Sequence, residues 1–486
     1  VLGSGLAGID ATVVNVALPT LGKDLHASFA DLQWTINSYT LTLAALILLG
    51  GSLGDRYGRR RVFIIGVLWF AVASALCAIA PTIEALIAAR ALQGIGGALL
   101  MPGSLAMISA SFAPEDRAKA IGAWSGFGGI ASAAGPFIGG YLIAGPGWRW
   151  IFLINLPLAV IVVLIARQHV PETLDPDAVP HLDVVGAILG AIGLGGITYA
   201  LIIAGDGWSA RVVTGAVLGV AAMIGFVRTE RHSSHPMLPP SIFANRQFTA
   251  ANVVTFAVYA ALGGVFVLLV VNLQVVAGFS PLLAGTALLP ITVIMLALSA
   301  RAGALATRIG PRLPMTAGPI LAACGVLLLL RIGPNASYFT DVLPAVTVFG
   351  LGLSLIVAPL TTAVLSAAET RHAGIASGAN NAVARAAGLL AVAVLPVLAG
   401  ISGDDYQHPE AFADGFRIAM ILSASLLVIG GIVAAVTIRD PLVPDRPVAR
   451  ADQPAQRHHC GIDGPPLQAA VSLSAATSTQ GIDSAR

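Results

Sequence analysis

The sequence predicts an all-α polytopic membrane protein of about fourteen transmembrane helices, and two features of the chain carry that prediction. Hydrophobic residues make up 56% of it and charged residues only 10%, against roughly 25% charged in ordinary soluble domains, so lipid is the solvent for most of the chain. The apolar residues also fall in successive runs of the roughly 20 residues that cross a bilayer as a helix. Such runs are too long and unbroken for the alternating strands of an outer-membrane barrel, and open sheet edges do not survive in hydrocarbon. Helices are expected near 1–20, 34–53, 62–81, 84–110, 120–144, 149–167, 183–204, 212–228, 248–277, 282–300, 314–331, 342–365, 374–399 and 416–438. Beyond them, 439–486 is polar, rich in Pro, Ser and Ala, and reads as a disordered tail.

Basic residues give the orientation, because cytoplasmic loops of helical membrane proteins carry excess Lys and Arg. Loops after even-numbered helices collect most of them, including Arg56, Arg59, Arg60, Arg61, Arg117, Lys119, Arg228 and Arg308, while the opposite loops and nearby ends hold only Lys23, Arg149, Arg211, Arg331 and Arg417. Both termini are therefore expected in the cytoplasm, which requires an even helix count. An internal repeat then divides the chain. GSLGDRYGRRR begins at Gly51 after the second helix and GALATRIGPRL at Gly303 after the tenth; Gly51 matches Gly303, Leu53 Leu305, Arg56 Arg308, Gly58 Gly310 and Arg60 Arg312. Because the repeat falls eight helices later instead of six, the expected domains are two six-helix bundles plus two inserted helices. These are a first bundle over 1–167, the inserted pair with linkers over 168–247, a second bundle over 248–438 and the cytoplasmic tail over 439–486. Duplicated bundles suit alternating access, one half rocking against the other around a central site.

Several segments carry polar or conformationally special residues within or between these runs. In IDATVVNVALP, Ile9 to Pro19, Asp10 is a carboxylate inside the membrane, costly by ~2.5 to 3.5 kcal/mol on insertion scales, so it must face a cavity, find a partner or take up a proton. It is a candidate proton or cation site, with pairing to an Asn or a basic residue as the structural alternative; Asn15 reads as an interhelical hydrogen-bonding residue. LIAARALQGIGGAL, Leu86 to Leu99, places Arg90 and Gln93 in the fourth helix, and a guanidinium at that depth is tolerable only when paired or hydrated. In GSLGDRYGRR, Gly51 and Gly58 permit a tight cytoplasmic turn, while Asp55, set among Arg56, Arg59 and Arg60, is not explained by orientation alone. In AAGPFIGGYL, Ala133 to Leu142, Gly135, Gly139 and Gly140 allow close helix approach and Pro136 favours a bend. GWRWIFLINLP, Gly147 to Pro157, is expected to anchor the sixth helix at the outer interface through Trp148 and Trp150. GIASGANNAVARAAG, Gly374 to Gly388, sets Asn381 and Arg385 on one helical face, either as a hydrogen-bonded pair closing an interface or in contact with substrate.

Taken in this order, the motifs resemble those of the fourteen-helix drug/proton antiporters of the major facilitator superfamily, the EmrB and QacA type, over essentially residues 1–438. The resemblance implies the major-facilitator fold and multidrug efflux driven by the proton gradient. It implies a gate made of Gly51, Asp55, Arg56, Gly58, Arg59, Arg60 and Arg117, in which Asp55 caps the start of helix 13 around Gly374 or pairs with Arg117 when the cytoplasmic side is closed. It places Asp10, Asn15, Arg90 and Gln93 in proton coupling or substrate binding. It also makes Gly135, Pro136, Gly139 and Gly140 the helix motif of antiporters as distinct from symporters. Gly54 and Ala131 depart from the family pattern, where Ala and Gly are usual.

The expected partners are small lipophilic substrates, protons and membrane lipids, and the sequence identifies no periplasmic adaptor. A net charge of +2 implies no nucleic-acid partner. No cofactor is expected: GSGLAG, Gly3 to Gly8, formally satisfies the dinucleotide fingerprint but follows no strand, and no Walker motif suggests ATP. Cys77 and Cys324 read as packing residues, and with Cys460 they form neither a disulfide framework nor a metal set. Asp10 is the only evident deep carboxylate, which points to monovalent cationic or neutral amphiphiles. The chain is not expected to be an enzyme or flippase, lacking a large polar loop or an acid cluster. A metabolite importer is the nearest rival, followed by a sensor with the tail as output. Arg in preference to Lys, with abundant Ala and Gly, suggests a GC-rich bacterial source and hence the cytoplasmic membrane.

Overall fold

A computed structural model describes residues 2–111, 124, 127, 130–131, 134–174, 183–233, 236, 238–367 and 373–440, and among these there is no strand. Apolar backbone in hydrocarbon must satisfy its own N–H and C=O groups, and helices do so within each segment. In chain order they are α1 Leu2–Asp24, α2 Phe29–Tyr57, α3 Arg59–Ile79, α4 Ile83–Ser111, α5 described over Ala134–Ala144, α6 Trp150–His169, α7 Val184–Ile203 and α8 Ala210–His232. Then come α9 Arg246–Val275, α10 Pro281–Ile309, α11 Arg312–Arg331, α12 Tyr338–Val364, α13 Ala373–Leu398 and α14 Pro409–Thr437. Thirteen are long and apolar enough to cross a bilayer, and α5 is the shorter apolar helix Ala134–Ala144 among the described residues. The molecule is a multi-pass helical membrane protein.

Several helices outrun their apolar cores. α2 begins at Phe29 instead of near 34 because Ser28 and Asp31 form a reciprocal capping box, the Asp31 carboxylate accepting from the Ser28 N–H at 2.9 Å. α10 runs nine residues beyond its expected end, through Arg301 and Arg308 to Ile309. In consequence Gly51–Tyr57 and Gly303–Ile309 are helical turns, not loop, and the reversals shrink to Gly58 and Gly310 with Pro311. Both glycines have positive φ, 107° and 88°, a conformation that L side chains rarely adopt.

The two reversals are held in the same way. Glu172, just past α6, accepts from the Arg60 N–H at 2.9 Å, and Arg60 Nη1 donates to the Val170 carbonyl at 2.9 Å. Asp440, just past α14, accepts from the Arg312 N–H at 3.0 Å, and Arg312 Nε donates to the Ala435 carbonyl at 2.8 Å. Each carboxylate therefore sits on the N-terminus of the helix that follows a repeat glycine, where backbone N–H groups and the helix dipole favour negative charge. Arg439 and Asp440 thus belong to the folded body, not to the tail; 441–486 lies outside the described residues.

Packing follows the chain. α2, α3 and α4 pack together with α6 against α3, and α1 lies against α4, α6 and α2; α9 packs with α12, α13 and α14, and α11 with α12 and α14. Gly50 and Gly94 let α2 and α4 touch backbone to backbone, since a Cβ on either would overlap the facing helix. α7 and α8 form a hairpin whose first helix leans on both α2 and α13. Cys77 is buried as expected, whereas Cys324 is exposed on the outside of α11.

At the end opposite the arginine-rich reversals, the early and late helices close on each other. The Phe29 N–H donates to the Gly403 carbonyl at 2.6 Å, the Tyr406 hydroxyl to the Ala27 carbonyl at 2.7 Å and Gln274 Nε2 to the Val16 carbonyl at 3.0 Å. Trp148, expected at a lipid interface, is instead 2% exposed and donates its indole N–H to Asp24; Trp150 is exposed. We predict that Glu172→Ala and Asp440→Ala each lower stability by roughly 1 to 3 kcal/mol, the range for hydrogen bonds to charged groups and their loss. The measurement is thermal unfolding of detergent-purified protein, and unchanged midpoints in both would mean that the carboxylates are effectively solvated.

Candidate functional site: a buried ion pair beside a cavity

Five helices of the first half meet at a polar knot that water does not reach. Asp10 on α1 is 0% exposed and Arg90 on α4 is 1% exposed, and Arg90 Nη1 donates to Asp10 Oδ2 at 2.5 Å. The other carboxylate oxygen accepts from Gln93 Nε2 at 2.8 Å and Asn155 Nδ2 at 3.0 Å. Gln93 turns its carbonyl back to Arg90 at 2.7 Å, three residues earlier on the same helix. Ser74 on α3 accepts from Asn155 at 3.0 Å and Gln93 at 3.3 Å, and donates to the Phe152 carbonyl at 2.9 Å. Arg90 is further held by the Thr35 carbonyl at 3.2 Å and by the face of Tyr39, 4.3 Å from the ring centroid. Two opposite charges in so dry a place persist only if their remaining donors and acceptors are met, and here Asp10 receives three side-chain donors.

The structure thus brings together the expected Asp10, Arg90 and Gln93, and adds Ser74, Asn155 and Tyr39. Asn155 lies in the INLP stretch of the α6 motif, and a polar side chain in an apolar run was its available signal. Asn15 does not join: its Oδ1 is buried without a partner, so the expected interhelical hydrogen bond is not formed. Glu230, the other buried acid among the described residues, lies in the last turn of α8 and accepts from the Leu238 N–H at 3.0 Å.

Next to this knot, α2, α4 and α13 enclose a cavity of about 430 Å³ on the side of the arginine-rich reversals. Gly51 and Asp55 of α2, Met101 of α4, and Asn381 and Arg385 of α13 line it. Asp55 does not cap α13. Its ion pair is with Arg59, Nε to Oδ1 at 2.8 Å, four residues on and across the Gly58 break. Asp55 and α13 line the same cavity without bonding each other, although Leu48 of α2 packs against Gly378 of α13. Arg56 points outward against the Tyr57 ring at 5.3 Å, and Arg60 binds the segment after α6. Arg117 lies outside the described residues.

Asn381 and Arg385 share the cavity wall but do not bond each other: Asn381 Nδ2 donates to its own Ser377 carbonyl at 3.2 Å, and Arg385 Nη2 meets the Met101 sulfur at 3.4 Å. The interhelical bonds of this segment come from the neighbour Asn380, to Asn252 at 3.1 Å and Thr255 at 2.7 Å. On α5, Gly135 and Gly139 lie against Ile9 to Val13 of α1, and Gly140 rests on Leu282 of α10. Pro136 offers its carbonyl side to Gly285. The small-residue motif therefore wedges the helix that carries Asp10 against the second half.

The chain is matched by known proteins in sequence and in fold. Residues 1–392 match the description Major Facilitator Superfamily. The chain belongs to the major facilitator superfamily. As a major facilitator protein it is a transporter and not an enzyme. It is 35% identical to the puromycin resistance protein pur8 of Streptomyces alboniger, over 89% of each chain. It is 36% identical to a probable actinorhodin transporter of Streptomyces coelicolor, covering 80% of this chain and 69% of that one. With the multidrug resistance protein Stp of Mycobacterium tuberculosis it shares 35% identity over 81% and 73%. Among solved structures, a peptide transporter POT bound to sulfate superposes with a TM-score of 0.66 at 16% identity, covering 90% and 92% of the two chains. The xylose transporter XylE from E. coli gives 0.58 at 15% identity over 91% and 96%; at such identities these two speak for the fold alone.

Removing one member of a buried pair strands the other charge. We predict that Arg90→Leu destabilises the protein by roughly 3 to 5 kcal/mol, and that the double variant Asp10→Asn/Arg90→Leu recovers part of that loss in thermal unfolding. Strictly additive effects would count against the pair.

Proposed function

We propose that this chain exports small lipophilic compounds across a bacterial cytoplasmic membrane in exchange for protons, by alternating access between a bundle over 1–167 and a bundle over 248–438. Its relatives are antibiotic-resistance and drug-efflux proteins by name. The observation that carries the reading is the juxtaposition of a water-excluded Asp10–Arg90 pair with a cavity that lies toward one end while the opposite end is closed. The arginine-rich end faces the cytoplasm by the positive-inside rule, so both termini are cytoplasmic and the conformation is inward-facing. No cofactor takes part. The proton gradient supplies the energy, of which the electrical part is ~2.3 kcal/mol per charge per 100 mV.

In this reading the observed pair is the proton-free form. Protonation of Asp10 from the outside removes one charge from the knot and leaves Arg90 with the Gln93 and Thr35 carbonyls as its acceptors. α1 carries the change outward, because it touches α5 at Gly135 and Gly139 and α9 through Gln274. A side chain whose surroundings differ between two states biases their equilibrium by that difference. Asp55 with Arg59, and Arg56 and Arg60 beside them, serve the cytoplasmic gate. The metabolite-importer alternative lacks a comparable observation.

We predict that Asp10→Asn abolishes dye efflux driven by a pH gradient in reconstituted vesicles, in protein that is still folded but has a lowered thermal midpoint because the Arg90 charge loses its partner. A protonophore should likewise stop efflux by the wild-type chain in a pump-deficient host. Undiminished gradient-driven efflux by the Asn variant would reject Asp10 as the coupling group.

A further inference from the structure

We propose that the cavity receives an anionic head group, with Arg385 as its binding cation, so that the preferred cargo is an acidic amphiphile bearing a carboxylate, sulfonate or ionised phenol. This rests on the export reading above and narrows it. The expectation of a cationic or neutral cargo assumed that the deep carboxylate faces the substrate. Asp10 does not: it is 0% exposed and its oxygens are taken by Arg90, Gln93 and Asn155.

Arg385 is in the opposite condition. It lines the cavity, no carboxylate among the described residues pairs with it, and its Nε is buried without an acceptor. Among the described residues, the one hydrogen bond its guanidinium makes runs to the Met101 thioether at 3.4 Å, a weak acceptor for a group with five N–H donors. A planar fork of unused donors is the feature that selects carboxylates and other oxyanions. The remaining charges around the cavity, Asp55 and Arg59, are bonded to each other at 2.8 Å, so the cavity carries one uncompensated positive charge among the described residues.

The surroundings complete an amphiphile site. Asn381, one turn before Arg385 on the same face, has a second amide hydrogen beyond the one given to Ser377. Ser52 of α2 and Ser377 of α13 also line the cavity and add hydroxyl groups to its wall. Leu48 and Met101 offer apolar wall for the body of the molecule. A volume of about 430 Å³ falls within the roughly 300 to 1,000 Å³ of small-molecule pockets.

The test uses the full chain in proteoliposomes with an imposed proton gradient and two xanthene dyes of similar size, anionic fluorescein and cationic rhodamine 123. The wild type is expected to move fluorescein in preference to rhodamine 123. Arg385→Gln should lower the fluorescein-to-rhodamine ratio by roughly tenfold or more, the scale of one lost charge-assisted hydrogen bond, with Arg385→Lys retaining much of the preference. Equal loss of both dyes in Arg385→Gln, or a wild type that prefers the cation, would overturn the proposal while leaving export intact as a reading. A wild type that moves neither dye nor any neutral amphiphile, in protein of normal thermal midpoint, would defeat the export reading itself.

Discussion

One ion pair in a dry place organises the first half of this protein. Neither Asp10 nor Arg90 is tolerable alone in hydrocarbon, and together they still leave donors and acceptors over. Three neighbouring helices answer those needs directly, α2 with the Thr35 carbonyl and the Tyr39 ring, α4 with Gln93 and α6 with Asn155, while Ser74 of α3 holds Gln93 and Asn155 in place. Packing by small residues brings the backbones close enough for this, as Gly50 and Gly94 do between α2 and α4. The knot therefore fixes helix rotation as well as position, because any of these side chains turned toward lipid would leave a buried charge unmet.

The second half solves the same problem with less charge. Asn380, Asn252 and Thr255 join α13 to α9 through neutral hydrogen bonds, and Arg385 is left facing open space. Tyr39 stands between these two regimes, covering Arg90 with its ring and lying within electrostatic reach of Arg385. The ion pair and Arg385 thus both lie within the influence of one aromatic side chain.

Much of this was legible in the chain, for identifiable reasons. Helix number and order follow from hydropathy, since the bilayer imposes a minimum apolar length. Asp10 and Arg90 announce themselves because charge inside an apolar run demands explanation. Helix ends were less legible: hydropathy stops at Asp31 or Arg301, whereas helical hydrogen bonding continues until a cap or a glycine intervenes, at Ser28 and Gly310. Helix rotation was not legible at all. Asn15 reads as a bonding residue, yet its Oδ1 has no partner; Asn380, not Asn381, makes the interhelical bonds; and Trp148 is interior, not interfacial. Adjacent residues on a helix point about 100° apart, so a wrong face reverses a role without changing any span. The partner of Asp55 escaped for a different reason, because it depends on which conformation is populated, and composition carries no record of that.

Glu172 and Asp440 have a mechanical meaning that reaches beyond their own hydrogen bonds. Each staples the last helix of a sequence block to the bend between its second and third members, or their repeat counterparts. Movement along those bends would have to break the staple first. Among the described residues no such carboxylate joins α5 to α10, which meet at glycines, or α7 to α2 and α13. A rocking of one half on the other would be taken up at those contacts before it opened either bend.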